Sequence, residues 1–287
     1  MSEHDDHSQD YSSSLADLMA SVAAVFLIVA GVYIFQINKA KADSKDEISK
    51  SRDELYKEIA KVLEITIKGS NNRAENDCAV LDKSEDGKIT VRFREPESLT
   101  SSCVGLNFTS GSDLLSEVQT SFVRNRLSKV FKSICTEFTR SASVSEVKVS
   151  PIKSVALVGH TDNSVSRIER ENLQRHMSKY DEADVSLLSN LPLSSRRAQA
   201  VYMNARSELS SSSSSTVECL DTLFSVSGKG PTEPLVELTD GNRENGEWIS
   251  GQFKPSTQKD ILLQQRANRR VELVILFSDD QKKQASK

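Results

Sequence analysis

The sequence predicts an α+β protein with a single N-terminal transmembrane helix, a helical stalk, and a domain in which helices cover one face of a mixed sheet. Three observations predict this class. The first is an apolar stretch over residues 15–35 that contains one charged residue. The second is the helical spacing of apolar residues in three later segments. The third is a set of four short runs with strand composition, which with the helices indicate a sheet covered on one face.

The chain divides into five predicted parts. They are a tail at 1–11, a transmembrane helix at 12–37, a helical linker or stalk at 38–70, a soluble domain at 71–280, and a polar tail at 281–287. The chain has 287 residues and a net charge of −4. The part after the span is long enough to bury a core, and it is not basic enough to predict a nucleic-acid partner.

Asp17 is the charged residue inside the apolar stretch, which is long enough to cross a bilayer as a helix. A carboxylate near the middle of a membrane helix costs about 2.5–3.5 kcal/mol on insertion scales. We therefore predict that Asp17 is an ion or proton site that faces a protein partner. Ser21 lies one turn further along the same face and is a second candidate ligand. Alternatively, Asp17 lies at the level of the headgroups, since it is near the start of the span.

The stalk carries apolar residues at helical spacing between residues 48 and 63, and we expect it to continue the membrane helix outward. It either pairs with a second copy of the chain or is a single solvated helix. Gly69–Asn72 is predicted to end it. In the domain the predicted strands are 89–93, 154–160, 223–228 and 271–277.

Two long helices are predicted in the domain. The first begins at a cap formed by Ser112 or Asp113, and its apolar face consists of Leu115, Val118, Phe122, Leu127, Val130, Phe131 and Ile134. The second covers 194–209, with Ser194 or Ser195 as its cap. The serine run 210–215 is predicted to be a flexible loop, and 228–230 a turn.

Four cysteines without a CxxC spacing predict two disulfides in an oxidising compartment, or buried thiols in the cytoplasm. Four cysteines allow three pairings. We expect Cys78–Cys103, because these residues flank the first predicted strand. We also expect Cys135–Cys219, because both lie near helix ends that can pack on one face of the sheet. No spacing indicates a metal site, and no constellation of side chains indicates catalysis, so we predict that the chain is not an enzyme.

Four motifs occur in a specific order along the chain. They are Gly159-His160-Thr161-Asp162, the segment 189–198 (SNLPLSSRRA), Gly228-Lys229-Gly230, and the segment 268–272 (NRRVE). In this order they resemble the OmpA-like peptidoglycan-binding domain. The form of the second motif, and an aspartate in an Ala-Asp-Leu-Met setting within the membrane helix, resemble the MotB/ZorB-like motor subunits. These subunits have one span and such a domain.

The resemblance implies a site for the diaminopimelate centre of peptidoglycan, which carries both an ammonium and a carboxylate. Such a ligand needs one fixed anion and one fixed guanidinium. By resemblance Asp162 binds the ammonium and Arg197 binds the carboxylate, Thr161 and Asn190 add hydrogen bonds, and Arg270 supports the wall of the pocket. The alternative for any one of them is a surface ion pair worth under about 1 kcal/mol. We prefer that alternative for the neighbouring arginines, 196 and 269, and expect a structural role for the histidine at 160.

The resemblance also implies the partners and the location. They are a ring of a MotA-like or ZorA-like membrane subunit, five copies around a homodimer of this chain, with a proton or sodium ion as the coupling ion and no cofactor. The N-terminus is expected in the cytoplasm and the domain in the periplasm of a bacterial inner-membrane protein. The excess of lysines after the span opposes this orientation, whereas the cysteines and the domain favour it.

Two features favour a motor of the Zorya anti-phage type over a flagellar stator. The N-terminal tail is acidic, whereas MotB tails are commonly basic, and the domain carries inserts around 167–184 and 237–254. A flagellar MotB-type stator subunit is one alternative. A passive tether between membrane and peptidoglycan is another, although a tether gains nothing from Asp17.

Overall fold

The structure is a computed structural model, and it describes residues 6–67, 73–76, 78–84, 87–93, 105–106, 108, 112–140, 150–161, 182–211, 213–230 and 269–278. The described residues fall into two compact units that meet in sequence between Glu47 and Ile48. The first unit is the N-terminal part of a helix, α1, which runs from Asp6 to Val62. Among the described residues, one helix, from Ala16 onward, is long and apolar enough to cross a membrane.

The second unit contains the C-terminal part of α1, a sheet and four further helices. The strands are β1 (Thr66–Ile67), β2 (Arg73–Glu75), β3 (Ala79–Lys83), β4 (Ile89–Phe93), β5 (Ile152–His160), β6 (Phe224–Gly230) and β7 (Val271–Phe277). The helices are α2 (Glu117–Phe122), α3 (Ser128–Thr139), α4 (Glu182–Ser210) and α5 (Ser214–Leu223), with a π-helical turn (Val123–Leu127) between α2 and α3.

The sheet has the order β1-β2-β3-β4-β7-β5-β6. Strands β5 and β6 are parallel, and the other neighbours are antiparallel. The central strands place apolar side chains in one row, which consists of Leu81, Val91, Leu273, Leu157 and Val226. This row belongs to a single core with the helices. The α+β class with a mixed sheet is thereby confirmed.

The predicted strands agree with the structure most closely for one alternating segment and one apolar run. Strands β4 and β7 have the predicted bounds. Strands β5 and β6 each extend beyond the prediction. Strands β1 to β3 are missing from the prediction. Strands β1 and β2 are two and three residues long, which is too short for a clear pattern, and β3 (AVLDK) does not alternate. The predicted turn at 228–230 is instead the end of β6.

The linker does not have the predicted extent. Its apolar residues Ile48, Leu55, Ile59 and Leu63 are at most 6% exposed and belong to the core of the second unit. The domain therefore begins near residue 48 rather than at residue 71. The face predicted to pair with a second copy is already buried against the rest of the domain, where it removes apolar surface from water.

Polar contacts hold the same stretch of α1. Asp53 pairs with Lys83 of β3 at 2.8 Å, and Glu54 pairs with Arg140, just after α3, at 2.7 Å. The hydroxyl of Tyr56 also donates to the carbonyl oxygen of β3 residue 81 at 3.5 Å. Side chains on two sides of this helix segment thus bind it to the domain, beyond what its apolar face contributes.

The first long helix begins later than predicted. Its cap is Ser116, whose hydroxyl accepts from the backbone N–H of Gln119, while the Gln119 side chain accepts from the backbone of Ser116. Ser112 and Asp113 are not caps, because they precede the helix start; the carbonyl oxygen of Ser112 and the carboxylate of Asp113 accept hydrogen bonds from arginines of α4. The π-helical turn inserts extra backbone, which rotates the later residues relative to the earlier ones. Val118 is consequently 63% exposed, although the predicted apolar face includes it.

Helix α4 begins twelve residues before the predicted start at Ser194 and contains Pro192 in its interior. Proline and the two serines resemble a helix start, since Pro favours the first turn and Ser the cap. The serine run is not simply a loop. It ends α4 at Ser210 and begins α5 at Ser214, and α5 is absent from the prediction.

Candidate functional site

Two glycines allow α4 to lie directly on the ends of the parallel strands β5 and β6. A Cβ atom at Gly159 would lie 1.9 Å from the carbonyl oxygen of Ser194, and a Cβ at Gly228 would lie 2.3 Å from the Ser194 hydroxyl. These two glycines are directly opposite each other in the register of β5 and β6. A larger residue at either position would push the helix away, so the glycines set the distance between helix and sheet.

Ser194 joins the three elements that meet there. Its hydroxyl donates to the carbonyl oxygen of Leu191 at 2.8 Å and accepts from the backbone N–H of Gly230 at 2.9 Å. The carbonyl of Gly230 in turn accepts from the backbone N–H of Thr161 at 3.2 Å. The end of β5, the end of β6 and the first half of α4 are thereby fixed to one another.

Two of the predicted site residues lie at this junction. Thr161 and Asn190 are each 2% exposed, and the backbone of Asn190 lies next to Gly230. The Thr161 hydroxyl oxygen is buried, and among the described residues none forms a hydrogen bond with it. A buried hydroxyl in this state is suited to a polar ligand, because leaving it unsatisfied costs about 1–3 kcal/mol.

Arg197 is the third predicted site residue on this face of the domain, seven positions after Asn190 on α4 and so on the same side of the helix. It is 1% exposed. Its Nε donates to the carbonyl oxygen of Ser112 at 2.9 Å. Its guanidinium carbon lies 5.1 Å from the centroid of the Phe108 ring, within the range of a cation–π contact. The guanidinium is thus held by a carbonyl along one edge and by an aromatic ring on one face.

Arg270, the residue predicted to support the wall of the pocket, lies just before β7 and beside the end of β5. Its Nε donates to Oε1 of Glu272 at 2.7 Å, and its carbonyl accepts from the backbone N–H of His160 at 2.9 Å. Burial alone raises the pKa of Glu272. Its contact with His160 and the charge of Arg270 outweigh burial and lower that pKa from 4.5 to about 2. The carboxylate is therefore ionised at neutral pH and neutralises Arg270.

The fourth polar residue predicted for the ligand, Asp162, lies outside the described residues, so its position relative to Arg197 stays a prediction. It follows Thr161 directly in the sequence. Arg196 forms an ion pair with Asp113 at 2.9 Å, and its side chain is 49% exposed. This contact matches the surface ion pair expected for Arg196. Of the two adjacent arginines, Arg196 is thus exposed and paired, whereas Arg197 is buried.

The membrane candidates Asp17 and Ser21 lie in the first unit, and both are exposed. The Ser21 hydroxyl donates to the backbone carbonyl oxygen of Asp17 at 2.8 Å. This hydrogen bond to the preceding turn is common for serine in helices. It engages the backbone of Asp17 and not its carboxylate, so the role of Ser21 as an ion ligand stays a prediction.

Cys135 and Cys219 form a disulfide with a Cα–Cα distance of 5.8 Å, which joins α3 to α5. This is the second of the two expected pairs. Cys78 is also disulfide-bonded, whereas Cys103, its expected partner, lies outside the described residues. Disulfides persist in oxidising compartments, so these bonds favour a domain outside the cytoplasm.

Sequence reasoning missed the roles of four residues at the site. Phe108 and Ser112 contact Arg197 across more than 80 positions of sequence, and no local pattern reports such a contact. Glu272 belongs to the NRRVE motif at 268–272, but the motif by itself did not indicate what Glu272 does. Ser194 was assigned to a helix cap, although its hydroxyl connects α4 with β6.

No protein-family model matches the chain, and no curated protein matches it. Solved structures do show similarity. The periplasmic domain of Helicobacter pylori MotB is 12% identical, with coverage of 75% of this chain and 94% of that one, and a TM-score of 0.41. A putative MotB-like protein from Desulfovibrio vulgaris is 16% identical, with coverage of 80% and 93%, and a TM-score of 0.41. The OmpA-like domain of FopA1 from Francisella tularensis is 13% identical, with coverage of 75% and 96%, and a TM-score of 0.31. Values below 0.5 do not establish a shared fold.

Proposed function

We propose that the second unit binds peptidoglycan by enclosing the diaminopimelate centre of a stem peptide. Arg197 binds the carboxylate of this centre, Asp162 binds its ammonium, and Thr161 and Asn190 donate or accept hydrogen bonds at its edges. Arg270 supports the wall. The ligand is a zwitterion, so the site has to offer both signs of charge within a few ångströms.

The observation that carries the proposal is the setting of Arg197. Its guanidinium is 1% exposed and is held by the carbonyl of Ser112 and the ring of Phe108. A surface arginine that serves solubility has neither burial nor two fixed neighbours. A planar guanidinium fixed in this way is pre-organised for a carboxylate, because it loses little side-chain freedom on binding.

We further propose that the chain is the single-pass inner-membrane subunit of an ion-driven rotary motor of the MotA–MotB class. Two copies lie within five copies of a MotA-like or ZorA-like subunit, with the N-terminus in the cytoplasm and the domain in the periplasm. Asp17 carries the proton or sodium ion. Support comes from the apolar helix that contains this carboxylate and from the disulfides of the domain. Within this class, the acidic tail and the inserts favour the Zorya anti-phage type.

Sedimentation with purified sacculi tests the binding function. The full chain in detergent is mixed with insoluble sacculi that contain diaminopimelate, and the bound fraction is measured after centrifugation. Arg197→Lys keeps a positive charge but loses the planar fork, so we expect binding to fall by about tenfold or more. Binding by Asp162→Asn should fall to a similar degree.

Arg196→Ala is the matched control, because it removes the adjacent arginine, whose partner is Asp113 on the surface. It should bind like the wild-type chain. Equal binding by the Arg197→Lys, Asp162→Asn and wild-type chains would place the ligand elsewhere on the domain. No binding by the wild-type chain would reject the function itself.

A further inference from the structure

A cluster of charged side chains lies on the face of the sheet opposite the helices, centred on Glu272. Oε1 of Glu272 accepts from Nε of Arg270 at 2.7 Å and lies 3.5 Å from Nε of Arg92. Oε2 lies 3.6 Å from Nε2 of His160, which is too long for a hydrogen bond. The side chains of Glu272, Arg270 and His160 are 14%, 4% and 1% exposed.

The sheet fixes the position of the carboxylate. Glu272 is directly opposite Arg92 of β4 on one side and Val158 of β5 on the other. Arg92 has a second carboxylate partner, Asp82 of β3. Asp82 neutralises the charge of Arg92. Glu272 can therefore make its shortest ion pair, at 2.7 Å, with Arg270. A buried arginine needs such a partner, since an unpaired buried charge is very costly.

The partner of Glu272 lies beside the candidate ligand site. The carbonyl of Arg270 accepts from the N–H of His160, and the next residue, Thr161, donates to Gly230 at the junction with α4. Arg270 is thus one residue away from the strand end that carries Thr161. The guanidinium of Arg270 lies on the same face of the sheet as Glu272, because its Nε donates a hydrogen bond to that carboxylate.

We infer that Glu272 is a positioning residue of the ligand site, which orients the guanidinium of Arg270 at the wall of the pocket. This inference rests on the proposed peptidoglycan binding, and it adds a residue that acts through another one. Glu272 does not touch the ligand. Its effect on binding therefore requires Arg270, which distinguishes this role from general support of the sheet.

A double-mutant cycle tests this dependence with the full chain and sacculi that contain diaminopimelate. Glu272→Gln should weaken binding about tenfold, the scale seen for groups that orient a ligating side chain. Arg270→Gln should weaken it to a similar degree. The double variant, Glu272→Gln with Arg270→Gln, should bind no more weakly than Arg270→Gln alone. Arg92→Gln is the control and should bind like the wild-type chain.

The outcomes separate this inference from the proposed function. Failure of the wild-type chain to bind sacculi rejects the function. Binding by the wild-type chain together with unchanged binding by a folded Glu272→Gln or Arg270→Gln variant overturns the inference, as does a double variant weaker than Arg270→Gln alone. Should Glu272→Gln alone not fold, Glu272→Asp takes its place, because it keeps the negative charge but shortens the side chain that reaches Arg270. The inference expects weaker binding by Glu272→Asp, and binding like that of the wild-type chain overturns it. Thermal unfolding of each variant establishes which ones are folded.

Discussion

The guanidinium of Arg197 lies over the ring of Phe108, with 5.1 Å between the guanidinium carbon and the ring centroid, and both residues are at most 3% exposed. The two residues are far apart in sequence and come from different elements. Their contact helps to fix the direction of a buried charged group of α4. We therefore expect the aromatic ring to contribute to the proposed ligand binding, although it is not itself polar.

Phe108→Leu should weaken binding to sacculi about fivefold, because a cation–π contact at a desolvated site is worth about 1 kcal/mol or somewhat more. The apolar volume is largely kept, so the domain should stay folded. Phe131→Leu is the matched control, since it truncates a buried ring that contacts Tyr202 and Phe224 instead. Equal losses of binding in the two variants would indicate a stability effect and not a role for the ring.

A fragment that begins at Ile48 should fold cooperatively, whereas one that begins at Asn76 should not be stable. The longer fragment keeps Leu55, Ile59 and Leu63, each of which contributes about 1.5–3 kcal/mol when fully buried. It also keeps strands β1 and β2. Urea unfolding of the two fragments measures the difference. Equal midpoints would mean that the end of α1 is not part of the domain core.

The stability of the domain should fall as the pH drops from about 4.5 toward about 2. The pKa of Glu272 is about 2 in the folded state against an ordinary 4.5. Its contribution is therefore present above pH 4.5 and is lost as the pH falls toward the folded pKa. The difference amounts to roughly 3 kcal/mol at 1.36 kcal/mol per pH unit.

Denaturant unfolding of the wild-type chain and of Glu272→Gln between pH 6 and pH 2.5 checks this titration. The gap in free energy of unfolding between the two should narrow as the pH falls, because below about pH 4.5 the unfolded wild-type chain binds a proton that the folded carboxylate, with its lower pKa, does not bind. A gap that stays constant over this range would show that Glu272 does not titrate there.

Asp17→Asn should abolish the activity of the motor and leave the chain in the membrane. Asparagine has nearly the same size as aspartate but can neither bind a proton nor carry a charge. Co-purification with a co-expressed MotA-like or ZorA-like subunit measures assembly, which should be unchanged. Asp43→Asn, on the same helix beyond the apolar stretch, is the control. Full activity of the Asp17→Asn chain would reject the ion-driven motor and leave the passive tether between membrane and peptidoglycan as the remaining hypothesis.

The sequence predicted those parts of the fold that depend on local patterns. Strand β4 alternates between polar and apolar residues, and β7 is an apolar run of β-branched and other large residues with one glutamate; the bounds of both were predicted correctly. The start of α4 was wrong, because Pro192 and Ser194 form a strong local start signal that tertiary contacts override. Ser194 is not needed as a cap there, since its hydroxyl bonds Gly230 on β6.

The site shows the same difference between what local sequence patterns indicate and what tertiary contacts decide. Arg197, Thr161 and Asn190 were assigned from ordered motifs. The structure places Thr161 and Asn190 at the junction of α4 with β5 and β6, and it places Arg197 against Ser112 and Phe108. Phe108 and Glu272 were missed because their roles depend on which side chain lies opposite them after folding. Pairing across a sheet or between distant segments follows from the register, and a single sequence does not specify register directly.

The most direct test of peptidoglycan binding is calorimetric titration of the full chain in detergent with two soluble stem peptides. One contains diaminopimelate, and the other has lysine in its place, which keeps the ammonium but lacks the carboxylate. Arg197 should account for the difference. We predict at least tenfold tighter binding of the diaminopimelate peptide by the wild-type chain, and equal, weak binding of both peptides by Arg197→Lys. A wild-type chain that binds the two peptides equally well would contradict the account.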